Sequence, residues 1–137
     1  MAQIRIPQAQ INMVYMALGN IAYTGITPIE VAKIMRVRKA MRPLYESYQT
    51  FDEEVRRAQE NFERLAEIEM KDEKSEEDIA WYKEHIHAFV EGVNVAIRPE
   101  LEKEYDIEVE KLSDETAAYI LSNSSLTPEI INFLIEE

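Results

Sequence analysis

One cluster of side chains in this 137-residue chain has the types and spacing that metal chemistry uses: Glu84-His85-Ile86-His87, with Glu91 one helical turn further on. Glu84 and His87 stand three apart, which puts a carboxylate and an imidazole on one face of a helix, as in the ligand sets of di-iron bundles. Such a centre takes two of these motifs and two further inward glutamates. The chain supplies one motif and no inward glutamate on its longest apolar seam. His85 and His87 diverge by roughly 200° around a helix, so they do not chelate one ion as a pair. Both histidines are therefore expected to be surface residues flanking a buried Ile86, with no metal and no cofactor. A metal-binding helical protein is kept as an alternative.

Other reaction chemistry fares no better. The chain has three glycines, Gly19, Gly25 and Gly92, and none opens a phosphate-binding loop with a following lysine. Ser122-Asn123-Ser124-Ser125 has neither a nearby histidine nor the strand-turn-helix setting of a nucleophile elbow, and reads as a turn between helices. With no cysteine there is no thiol nucleophile, disulfide framework or thiolate site. Carboxylate pairs such as Glu76-Glu77-Asp78 and Glu100/Glu102/Glu104 are too abundant to single out an acid and a base. The expectation is a protein that is not an enzyme.

Charge is the most informative property. The formal charge is -12, yet residues 1–66 hold nine basic and seven acidic residues, a net +2, whereas residues 67–137 hold six basic and twenty acidic, a net -14. Lys33, Arg36, Arg38, Lys39 and Arg42 form a basic stretch with no acid between Val31 and Tyr45. It could serve a nucleic-acid reader, but the acidic half repels a polyanion and the stretch has no interleaved aromatics before Tyr45, so direct nucleic-acid binding is not expected. The acids Glu76, Glu77, Asp78, Glu100, Glu102, Glu104, Glu108 and Glu110 are the candidate partner-binding residues.

The elements that position these groups follow from periodicity. Ile4 and Ile6 alternate with polar residues before Pro7, which predicts a short strand. Ile11, Val14, Tyr15, Leu18, Ile21 and Ala22 recur at helical spacing, with Gly25 as the stop. Thr27-Pro28-Ile29-Glu30 reads as a helix start in which Glu30 completes a capping box. From Ile34 an unbroken three-four repeat runs through Val37, Met41, Leu44, Tyr48, Phe51, Val55, Ala58 and Phe62 to Leu65, a seam about 45 Å long on one continuous helix kinked at Pro43. The seam requires a cover, supplied by a second helix or by another copy of the chain. Met70 to Lys74 breaks the repeat, and Ser75 caps a helix carrying Ile79, Tyr82, Ile86, Phe89 and Val93, which folds back as an antiparallel hairpin. Val93, Val95 and Ile97 switch to a period of two and read as a strand ended by Pro99, with a further strand at Ile107 and Val109. Ser113 and Thr127-Pro128 start two final helices, the last rich in apolar residues.

The fold class is thus mainly α (α+β) in a single domain, residues 1–137: a long kinked helix in an antiparallel hairpin, further helices and a small sheet of short strands. Mean hydropathy is -0.35 and no apolar run approaches the ~20 residues of a membrane span. The opening Met-Ala-Gln-Ile-Arg-Ile lacks an apolar leader core, which predicts a cytoplasmic protein with no membrane partner.

This order of features resembles a family of small uncharacterised proteins of tailed bacteriophages, a likeness of pattern carried by Ile11 to Leu18, Ile29-Glu30-Val31-Ala32-Lys33, Arg36 to Leu44, Ile107-Glu108-Val109 and Leu126 to Leu134. The resemblance implies a phage origin, a host-cell cytoplasmic location, a non-enzymatic role and no catalytic residues. With the charge asymmetry, it leads to the expectation of an acidic accessory protein that binds and modulates another protein, inhibiting a host nucleic-acid-binding enzyme. A self-associating virion or assembly component is the alternative, with the seam closing against a homo-oligomeric partner.

Overall fold

The computed structural model describes residues 2–135. In chain order the elements are β1 (Ala2–Pro7), α1 (Gln8–Asn20), α2 (Pro28–Ala58), α3 (Phe62–Met70), α4 (Glu76–Glu102), β2 (Glu104–Val109), α5 (Asp114–Asn123), α6 (Pro128–Ile131) and a 3-10 turn over Asn132–Leu134. The mainly α, α+β class holds. The chain packs as two compact units, one from residues 2–47 and 102–135 and one from Tyr48–Leu101.

In the first unit β1 and β2 pair antiparallel, with Gln3 opposite Glu108, Ile4 opposite Ile107 and Arg5 opposite Asp106. This register puts Ile6, Ile107 and Val109 on the buried face and leaves the charged residues of both strands outside, as a pleat with one dry face must. Beneath lie Ile11, Val14 and Leu18 of α1, Ile34, Val37 and Met41 of α2, Ile120 of α5, and Ile131, Phe133 and Leu134 of the C-terminal segment. The first half of the seam is therefore covered by the chain's own residues, without a second protomer. The C-terminal segment is pinned by its backbone as well, since Leu112 N–H donates to the Leu134 carbonyl at 2.6 Å. The first N–H of α1, which has no intrahelical acceptor, donates to the Lys103 carbonyl at 2.8 Å. Gln8 is itself buried and its side-chain amide is satisfied by Asn12 and by the Leu44 carbonyl. Gly25 does not end α1, which stops at Asn20; its missing side chain makes room for the Tyr119 ring, which would lie 2.4 Å from a Cβ there.

In the second unit the end of α2 and all of α3 run antiparallel to α4: Gln59 lies beside Gly92, Phe62 stacks on Phe89 at 6.4 Å, and Glu69 accepts a hydrogen bond from the Tyr82 hydroxyl at 2.6 Å. As the first residue number of each pair rises the second falls, which is the expected hairpin. Its turn is fixed by Ser75, whose Oγ accepts the Asp78 N–H at 3.0 Å, and by the Lys71–Asp78 ion pair at 2.9 Å.

Two further sequence expectations change. The helix passes through Pro43 without interruption, but the seam is not one rod to Leu65, because α2 ends at Ala58 and α3 begins at Phe62. Between them Asn61 adopts the left-handed conformation, φ 68°; asparagine tolerates that region better than most residues. Periodicity does not register the break because the step from Ala58 to Phe62 is still four residues. The expected strand at 93–97 is a continuation of α4: Val93 is buried and Ile97 half-buried, whereas Val95 is 61% exposed, so burial follows a helical step and not an alternation. Pro99 lies in the last turns of that helix. The sheet among the described residues consequently has two strands.

Asn61→Gly should leave stability within about 0.5 kcal/mol, because glycine adopts the left-handed region freely. Asn61→Val should cost about 1–2 kcal/mol, read as a lowered urea midpoint for loss of helical circular dichroism. Equal midpoints for the two variants would contradict the assigned backbone at this position.

Candidate functional site

The acidic candidates are divided between the two units. Glu76, Glu77 and Asp78 occupy the first turn of α4, where carboxylates favour the positive end of the helix dipole. Glu100 lies near the other end of the same helix, about 36 Å away at 1.5 Å per residue. Asp78 is engaged locally, since the hydrogen bond from Lys71 lowers its carboxyl's pKa. Glu76 and Glu77 are exposed.

The remaining acids belong to the first unit. In β2 the side chains alternate, Glu104, Asp106 and Glu108 exposed against Ile107 and Val109 buried, so three carboxylates share the outer side of one strand. Asp106 is the member that charge counting overlooked; the alternation of acid and apolar residue from 104 to 109 is the signal that identifies it. Arg5, opposite Asp106, pairs with Glu104 at 3.0 Å and is the one cation on the outer face of either strand. Glu102 ends α4 just before this strand. Glu110 follows it and pairs with Arg36 at 2.6 Å, and the hydrogen bond from that guanidinium lowers its pKa.

The basic stretch also divides. Lys33 turns toward the protein and Arg36 toward Glu110, whereas Arg38, Lys39 and Arg42 line a recess with Tyr15 and Met35. Arg42 pairs with Glu46 at 3.0 Å, both side chains well exposed.

Lys33 serves a buried carboxylate. Glu30, 7% exposed, does not reach back to its own helix start as a capping box; it crosses to the start of α5. Its Oε1 accepts the Ser113 N–H at 2.5 Å and the Thr116 hydroxyl at 3.1 Å, while Lys33 Nζ sits 3.0 Å from Oε2 and donates to the Lys111 carbonyl at 3.3 Å. Ser113 in turn caps α5 by accepting the Thr116 N–H at 3.2 Å. The Thr27-Pro28-Ile29-Glu30 string does start a helix, but its acceptor is spent on another helix 83 residues away. Burial alone would raise this carboxyl's pKa; the hydrogen bonds from Ser113, Lys33 and Thr116 outweigh it and hold the group at about 2.

The two histidines have different surroundings. The His85 ring stacks on Trp81 at 4.2 Å, its Nδ1–H donates to the Trp81 carbonyl at 2.8 Å, and the Arg64 guanidinium lies over Trp81 at 4.1 Å. His85 is thus half-buried, contrary to its expected surface position, while His87 is exposed with Glu91 at 3.9 Å. Among the described residues no three His, Asp or Glu side chains are grouped so as to hold a metal ion. No helix among them is long and apolar enough to cross a membrane. No protein-family model, curated protein or solved structure matches the chain.

A carboxyl that titrates near 4.5 when unfolded and near 2 when folded stabilises the fold in its ionised form. That contribution, of order 3 kcal/mol, is complete above about pH 4.5 and disappears as pH falls through about 2. Glu30→Gln should therefore lower the unfolding free energy by about 2 kcal/mol at pH 7. The gap from the parent should narrow steadily below pH 4.5 in denaturant titrations; a gap independent of pH would exclude this role for the charge.

Proposed function

We propose that this protein is a non-catalytic, acidic accessory protein that binds another protein and modulates it, docking on a basic surface that otherwise receives nucleic acid. The outer side of β2 carries the proposal. Glu104, Asp106 and Glu108 project from one strand at intervals of about 7 Å, a step comparable to that between successive phosphates along a nucleic-acid strand. The strand is held by a complete set of pairings to β1 and by two buried side chains, so the spacing is fixed before any partner arrives. Charges presented this way steer a basic partner and set its register more than they add raw affinity. Glu102 extends the same acidic run.

Glu76, Glu77 and Asp78 belong to the second unit, where they form the favourable first turn of α4, and the proposal does not use them. The self-association reading has less support, because the seam that called for a second protomer is covered within the chain along Ile34, Val37 and Met41.

The test is affinity capture from a lysate of the cell the protein comes from, beside a column carrying the Glu104→Lys/Asp106→Lys/Glu108→Lys variant. A basic protein retained at low salt, released by about 0.5 M salt and at least tenfold depleted on the variant column is the expected result. Identical proteins on both columns, or none at low salt, would reject the acidic strand as the docking element.

A further inference from the structure

The basic stretch of α2 offers a second surface of opposite sign. Lys33 and Arg36 are taken by Glu30 and Glu110, which leaves Arg38, Lys39 and Arg42. These line a recess of about 320 Å³ with Tyr15 of α1 and Met35 of α2, and no carboxylate among the described residues lines it. Arg38 is held there from several sides. Its guanidinium lies over the Tyr15 ring at 4.3 Å, its Nε–H donates to the Tyr15 carbonyl at 3.4 Å, and it lies so close to Gly19 that a Cβ at that position would be 2.7 Å from Nη2. Tyr45 packs against Tyr15 with ring centroids 4.5 Å apart and tilted by 32°, and backs the arrangement. Lys39 is exposed and makes no ion pair among the described residues, and Arg42 pairs with the exposed Glu46, an exchangeable partner.

The apolar part of the recess is equally distinctive. Met35 is 56% exposed beside these cations, and α1 exposes Met13 and Met16 as well. Methionine is flexible and polarisable, which suits it to a surface that adapts to an incoming side chain. Exposed methionine next to an immobilised arginine and two available cations is complementary to a bulky apolar side chain flanked by carboxylates.

We propose that this recess between α1 and α2 binds an acidic peptide segment of a partner protein, seating one apolar side chain against Met35 and its carboxylates on Arg38, Lys39 and Arg42. A nucleic-acid strand fits less well. The three cations span about 6 Å of helix, too short a track for a run of phosphates. The Tyr15 ring is already engaged by Arg38 and Tyr45 where a base would stack, and the chain's charge of -12 repels a long polyanion. This inference does not depend on the acidic strand, and either can fail alone.

A fluorescein-labelled peptide with one phenylalanine and one leucine set among aspartates and glutamates, titrated with the full chain and followed by anisotropy, tests it. Binding should weaken at least tenfold in Lys39→Glu/Arg42→Glu and also as salt rises from about 50 to about 300 mM. Both replaced residues are exposed, and an unchanged thermal midpoint verifies that the variant is folded. In a spectrum of methyl-labelled methionines the Met35 signal should shift on peptide addition while those of buried Met41 and of Met70, in the second unit, stay in place. The proposal is overturned by no binding at low salt, by equal binding to the double variant, by a shift confined to Met70, or by displacement of the peptide at equal or lower concentration of an oligothymidylate.

Discussion

The first unit depends on one buried anion. Glu30 and Ser113 are 83 residues apart, and their hydrogen bond joins the start of the longest helix to the start of α5. The free N–H groups at a helix start need an acceptor, and a carboxylate is the strongest one available from a side chain. Placing it in the interior carries a desolvation cost, which is met here by an N–H, a hydroxyl and an ammonium group together. The same ammonium reaches the Lys111 carbonyl, and Lys111 itself donates to the Phe133 carbonyl at 2.7 Å. A polar chain thus runs from α2 through the segment after β2 to the C-terminal turn, alongside the apolar core those three elements share.

This arrangement explains which parts of the fold could be read from the sequence. Helices α1, α2, α4 and α5, the caps at Ser75 and Ser113 and the two outer strands follow from local signals: apolar spacing, a capping oxygen, alternation. The misread positions are those where a distant group decides. Glu30 in a Thr-Pro-Ile-Glu string satisfies the local capping rule completely, and nothing nearby in sequence announces Ser113. Val93, Val95 and Ile97 satisfy a period of two, but Val93 and Ile97 also continue the helical stripe from Phe89, and packing settles which period prevails. Asn61 interrupts a repeat without changing its phase, so the break is legible only in the backbone.

The candidate surfaces were legible in charge and not in arrangement. Composition places the acids in the second half of the chain and the bases in one stretch of α2. It does not reveal that Arg36 is spent on Glu110 or Lys33 on Glu30, nor that α1 brings Tyr15 against Arg38 across 23 residues of sequence. The basic stretch lacks interleaved aromatics along the chain, yet tertiary packing supplies one from another helix. Conversely, the eight acids that look like one cluster in sequence separate, some to the ends of α4 and some to the edge of a strand, where only the alternation of β2 gives a fixed spacing.

A net charge of -12 and a cationic recess are compatible because they act over different distances. At physiological ionic strength the screening length is about 8 Å, so a partner senses the whole chain's charge while approaching and the local side chains once in contact. The far field therefore selects against long polyanions and favours basic partners, whatever surface they finally meet. Within a screening length, Arg38, Lys39 and Arg42 dominate their own recess, since among the described residues no carboxylate lines it and Glu46, which pairs with Arg42, is exposed. An acidic segment reaches such a site only when it is short, or when it is carried by a partner whose other contacts offset the repulsion. On the proposed reading the charge asymmetry would act as a filter, favouring basic surfaces and admitting acidic ones only at small patches.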